Sequence, residues 1–293
     1  MNTNMFIQDT ISEFNDIGYS IDDIFFESAM EADNIIDDDT NKENFAKKLL
    51  VTVEKLINEI FAIIDRFISN VKNIFTRIAQ TDTGFRDHCR RAMVKNKPLE
   101  AIKLITYDYN DNYLEDQMNK MTRECISILT SLKTEYQKEN GAQSEFVLDM
   151  EKKKDIVQYI LKKIGCDDRT TDINLYFEEL KKNFRVQKKE ILFKASLGNQ
   201  YYHIATGIDK IESIAKQKQS IMKNQANVIK SDLMNITKNK TTQNDVKRRA
   251  VKFYKHAAGV YNFYTSFLKI YIQFKIERAL TYRVVLKKLF HFQ

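Results

Sequence analysis

One proline (Pro98), seven glycines, no tryptophan and three cysteines occur in 293 residues. So few chain-turning residues exclude an architecture of many short strands joined by tight turns, and long helices are expected. Cys89, Cys125 and Cys166 are isolated and odd in number, which argues against a disulfide framework and against a paired-cysteine metal site. A reducing compartment is expected. No basic stretch at the amino terminus leads into an apolar run, and no window of about eighteen uncharged apolar residues is present. Secretion by a signal peptide and a membrane span are therefore not expected. The glycosylation triplets at Asn235 and Asn239 carry no meaning in an unsecreted chain.

Chemistry-bearing patterns are equally scarce. The glycines stand singly, so no loop is built to cradle a phosphate. His88, His203, His256 and His291 share no spacing with one another or with acids that a zinc or nucleophile site would need. His88 and Cys89 lie beside Asp87, but adjacent helical residues point about 100° apart and do not converge. Neither an enzyme nor a cofactor is expected.

What the chain does have is 43% hydrophobic residues, enough for a core, arranged at helical spacing. Leu50, Val53, Ile57, Ile60, Ile64, Phe67, Val71, Ile74 and Ile78 recur at steps of three and four, a seam on a helix from Lys47 to Gln80 that would be about 50 Å long. Thr40-Asn41-Lys42-Glu43 has the form of a capping box ahead of it. Phe85 to Asn96 reads as a short basic helix crowded by Arg86, Arg90, Arg91, Lys95 and Lys97, after a break at Thr81 to Gly84. Leu99 to Tyr109 is rich in β-branched and aromatic residues and is the best strand candidate, with Glu190 to Lys194 as its partner.

Leu114, Met118, Met121, Cys125, Ile128, Leu132 and Tyr136 mark a helix over 113–139, and a third helix over 144–164 ends at Gly165 as a left-handed cap. A short helix from Asp172 carries Tyr176, Phe177, Leu180 and Phe184, with basic residues 181–189 around its end. A thinner helix spans 199–237. Lys238 to Asp245 is a polar hinge, and a final helix of about forty-five residues is apolar on nearly all sides in its middle. The fold class is mainly α, an elongated bundle of long helices with at most a minor two-stranded β element. Along the chain it divides into an acidic leader (1–40), an N-terminal helical region (41–139), a short-helix region (140–198) and a C-terminal long-helix region (199–293).

The net charge of +7 conceals an asymmetry. Residues 1–45 hold twelve acids and one lysine, a balance of −11, so the remainder carries +18. A basic body attracts polyanions and an acidic leader can shield it. Basic residues interleave with aromatics at Arg248, Arg249, Lys252 and Lys255, and again at Arg283, Lys287 and Lys288. These are the candidate nucleic-acid contacts, with the aromatics either stacking on bases or turned into the core, as their helical periodicity favours. A membrane-surface role is disfavoured because the polar faces carry both signs of charge.

Ala29-Met30-Glu31 followed by Ala32 resembles the small-x-Glu sites cut by maturation proteases of large tailed phages, making Glu31 and Ala32 a candidate processing site. Loss of residues 1–31 would remove seven acids and no bases and raise the net charge to +14. The order of parts resembles helical virion-associated or internal head proteins of such phages. That likeness rests on Phe26 to Ala32, Leu50 to Ile78 with Phe85, Leu104 to Tyr109, Tyr176-Phe177 with Phe184-Arg185, and the basic-aromatic final helix. It implies a structural or internal virion protein, delivered with the genome. The expected partners are other virion or phage proteins, with weak contact to packaged DNA through the basic body and scope for homo-oligomers. The alternatives are an intracellular helical module that captures or inhibits a host protein and, third, a membrane-surface protein.

Overall fold

A computed structural model describes residues 83–136, 156–166, 173–238 and 244–291, together with single helical positions between 55 and 76. Glu31, Ala32 and the seam from Leu50 to Ile78 lie outside the described residues.

The elements run β1 (Ala101–Tyr109), α1 (Asp111–Tyr136), α2 (Ile156–Lys163), α3 (Ile173–Phe184), β2 (Arg185–Lys194), a 3-10 turn (Ala195–Leu197), α4 (Gly198–Ala205), α5 (Ile208–Lys238) and α6 (Asn244–Leu289). A further helical segment occupies 83–95. The described protein is thus mainly helical, with one small antiparallel sheet.

The 46-residue α6 is the centre. Val260, Tyr261, Phe263, Tyr264, Phe267, Leu268, Tyr271, Ile272, Phe274 and Ile276 are all buried, as a helix apolar around its circumference requires. It packs on α1, α2, α4, α5 and β1. α1 presents Leu114, Met118, Met121, Cys125, Ile128 and Leu132 to the core, the heptad read from sequence. Its start is capped by the Asn110 side-chain oxygen, which accepts from the Tyr113 amide at 3.1 Å. Asp111 then receives Lys275 at 2.9 Å and Arg278 at 2.7 Å, and Tyr271 donates to Glu115 at 2.7 Å, so polar pairs fix how α1 lies along α6. Gly259 is the point of closest approach of α2, where a methyl group would collide with the Ile156 side chain.

α3 buries Tyr176, Leu180 and Phe184, spaced by four. Phe177 stacks on Phe263 and Phe184 on Phe274, with ring centroids 6.1 and 4.9 Å apart. The principal core draws residues from α1, α2, α3, α5 and α6, so members of three sequence regions share one interior. Phe61 also packs against it, and Lys223 meets Asp65 at 2.8 Å.

β1 and β2 pair antiparallel from Ala101 opposite Lys194 to Tyr109 opposite Arg185, with an irregularity between Asp108 and Tyr109. β2 corrects one expectation, because Arg185 to Lys189 belong to the strand and not to the end of a helix. Two further corrections concern helix limits. Thr83 and Gly84 are helical, and the helix expected over 199–237 is divided at Thr206 and Gly207 into α4 and α5. A second core of Cys89, Ala92, Phe193, Tyr201, Ala205, Val285, Leu286, Leu289 and Phe290 joins segment 83–95, the ribbon and α4 to the last turns of α6.

Candidate polyanion-binding end of the molecule

This second core decides where the basic residues stand. Cys89 and Ala92 turn inward against α6, so Arg90, Arg91, Lys95 and Lys97 are left facing solvent. The segment is locked to the end of α6 by two bonds. The Asn96 side-chain nitrogen donates to the Phe290 carbonyl at 2.7 Å, and the Leu99 amide donates to the Leu289 carbonyl at 3.0 Å. Lys287 and Lys288 lie in the last turn of α6, with Lys288 exposed and Lys287 half-buried. Six cations from positions about 190 residues apart in sequence are therefore gathered at one end. The acids within 83–100 are Asp87 and Glu100.

Such an arrangement offers guanidinium and ammonium groups to phosphates without a nucleophile or a general base among them. Sequence-independent charge contact is the chemistry it supports. Among the described residues, no group of three or more His, Cys, Asp or Glu side chains is placed to hold a metal ion.

Not every expected contact is at this surface. Arg283 is 6% exposed; its Nε donates to the Ala205 carbonyl at 3.1 Å and its guanidinium lies 4.8 Å from the Phe85 ring centre. It is corrected from a candidate nucleic-acid contact to an internal tie. Arg86 acts alongside it, donating to the Thr206 carbonyl at 2.9 Å. Together these arginines hold carbonyls where α4 ends, where the helix dipole favours positive charge. The side chains of Arg248, Arg249, Lys252 and Lys255 lie outside the described residues.

The aromatics of α6 from Tyr261 to Phe274 are buried, as is Phe290 just past its end, and Tyr282 is half-buried. Tyr282 sits between Phe193 and Tyr201, with centroids 6.0 and 5.5 Å away, and burial pushes the phenols of Tyr201 and Tyr282 up from the ordinary tyrosine value. Base stacking at the end of α6 is accordingly not offered. The ribbon holds a second, smaller cationic group, with Arg185 and Lys188 over Tyr107 at 5.3 and 6.0 Å and Lys189 paired with Asp108 at 2.8 Å. Arg185 also pairs with Glu277, which accepts from Tyr109 at 3.0 Å, so its charge is largely committed within the fold.

The cations of segment 83–95 were visible in sequence as a basic run, but nothing there linked them to Lys287 and Lys288. The bonds of Asn96 and Leu99 to Phe290 and Leu289, with the shared second core, make one site of them. Comparison with protein-family models, with curated proteins and with solved structures finds no match.

Proposed function

We propose that this chain is a non-enzymatic structural or internal protein of a tailed-phage particle, built to assemble through its folded helices and to touch packaged DNA by charge. The observation that carries the DNA contact is the gathering of Arg90, Arg91, Lys95, Lys97, Lys287 and Lys288 at one end, held in place by the Asn96 and Leu99 bonds to α6. Assembly with other virion proteins draws support from the outer face of the ribbon. Ile105 and Leu192 are 72% and 50% exposed there, beside the Lys103–Glu190 pair. Among the described residues no helix is long and apolar enough to cross a membrane.

The experiment is a titration of duplex DNA by fluorescence anisotropy across a salt series. Binding is expected to be sequence-independent and to weaken steeply with salt, by a slope of about 0.9 per phosphate neutralised. Changing the six cations to Gln should flatten that slope and lower affinity at low salt. An unchanged slope would remove this end of the molecule from the reading. Mass spectrometry of purified particles tests the virion assignment independently, and absence of the protein from them would end it.

A further inference from the structure

A cavity of about 330 Å³ opens between α1, α3 and the turn that closes α2, within the size range of small-molecule sites. α1 supplies Tyr113, Gln117 and Lys120, whose spacing of four and three puts them on one helix face. The turn supplies Gly165 and Cys166, and α3 supplies Tyr176. Gly165 has φ +93°, and its amide and that of Cys166 donate to the carbonyls of Lys162 and Leu161, each at 3.0 Å. This is a left-handed helix cap. The backbone donors of the turn are thus already used, so the side chains must supply any recognition.

Those side chains are mostly donors. The Tyr176 hydroxyl is buried, 5% of the residue being exposed, and among the described residues it has no hydrogen-bond partner. Its ring is fixed by Phe177 and Phe267, with centroids 5.7 and 6.2 Å away. The Tyr113 hydroxyl accepts from the Asn183 side chain at 3.3 Å, which leaves its own proton to give. The Lys120 ammonium lies over the turn, 3.5 Å from where a methyl group on Gly165 would sit. A buried hydroxyl left unsatisfied is costly, and a ligand acceptor would relieve it. Glu179, exposed at the mouth, is the opposing charge and favours a ligand with a single anionic group.

We propose that this cavity binds a small organic oxyanion, a carboxylate or phosphate ester of metabolite size, with its charged group on Lys120 and the hydroxyls of Tyr113 and Tyr176. The site is separate from the cationic end of the molecule and does not depend on the DNA reading.

Cys166 provides the readout, because it is half-buried in the cavity wall whereas Cys89 and Cys125 are fully buried. The rate at which maleimide modifies Cys166 in the full-length folded chain is measured against butyrate and inorganic phosphate, with chloride at matched ionic strength as control. Saturable protection at millimolar concentration is expected from one of the two, which also tells carboxylate from phosphate. Lys120→Gln should weaken protection at least about tenfold, and Tyr176→Phe by about tenfold with an unchanged or higher Tm, since it removes only an unsatisfied hydroxyl. Glu179→Gln should tighten binding. Protection by neither anion would overturn the proposal. So would protection unchanged in both Lys120→Gln and Tyr176→Phe, or protection lost instead in Lys287→Gln/Lys288→Gln.

Discussion

Single atoms decide how closely the helices approach. Gly259 sits in the middle of α6, where alanine would normally favour the helix by up to about 1 kcal/mol. Here its Cβ would meet the Ile156 Cγ2 methyl, which belongs to a stiff β-branched side chain that cannot swing aside. Gly259→Ala should therefore destabilise by about 1–3 kcal/mol, as overpacking does. Chemical denaturation of the variant, and of Gly259→Ala combined with Ile156→Ala, checks this. The double variant should recover part of the loss, with a coupling term that distant pairs do not show. At the same scale Arg283 marks a limit of sequence reading. A basic residue near a helix end has the same spelling whether it faces phosphate or, as here, caps the Ala205 carbonyl beneath Phe85.

Among the elements, the ribbon is the one that could not stand alone, since two strands without a packed face are marginal in water. Its anchor is Phe193, buried edge-on against Tyr201 and Tyr282. Neighbouring Leu192 points the other way and is half exposed. Phe193→Ala should cost about 3–5 kcal/mol and raise amide exchange along β1, whereas Leu192→Ala should fall within about 0.5 kcal/mol. Hydrogen exchange read by mass spectrometry distinguishes the two. The pairing of 99–109 with 190–194 is legible in the sequence because both stretches concentrate β-branched and aromatic residues. The first half of β2 is not, because Arg185 to Lys189 have one apolar residue, Val186, and take their place from the register with Thr106 to Tyr109. The division of α4 from α5 is hidden for the opposite reason. Ile204, Ile208 and Ile211 keep helical spacing straight through Thr206 and Gly207, and the arginine ties that stabilise the break come from residues 86 and 283.

For the whole molecule, the heptads of α1 and the near-continuous apolar run of α6 make the helical class legible, because burial of a long helix demands that pattern. The cationic end is legible only in pieces, since its halves meet through tertiary contact. Burial of the core also sets an alkaline limit. Burial pushes the phenols of Tyr109, Tyr176, Tyr261, Tyr264 and Tyr271 above the ordinary tyrosine value. Above about pH 10 the unfolded chain releases these protons while the folded chain keeps them, so the unfolded state binds fewer protons and stability falls as pH rises. Each such tyrosine contributes a slope of about 1.4 kcal/mol per pH unit until its folded value is reached. Denaturation midpoints at about pH 9 and about pH 11 should differ accordingly, and phenolate absorbance should rise in step with unfolding.

The position of α6 in the order of elements bears on how the protein is made. A ribosome delivers α1, α2, α3, the ribbon, α4 and α5 before the helix on which they converge, and β1 waits through more than seventy residues for its partner strand. Until α6 emerges, the apolar faces of α1 and α3 have no complete interior to enter. Contacts so distant in sequence are slow to form, so the core of the nascent chain stays unassembled, with those faces uncovered, until α6 has been made.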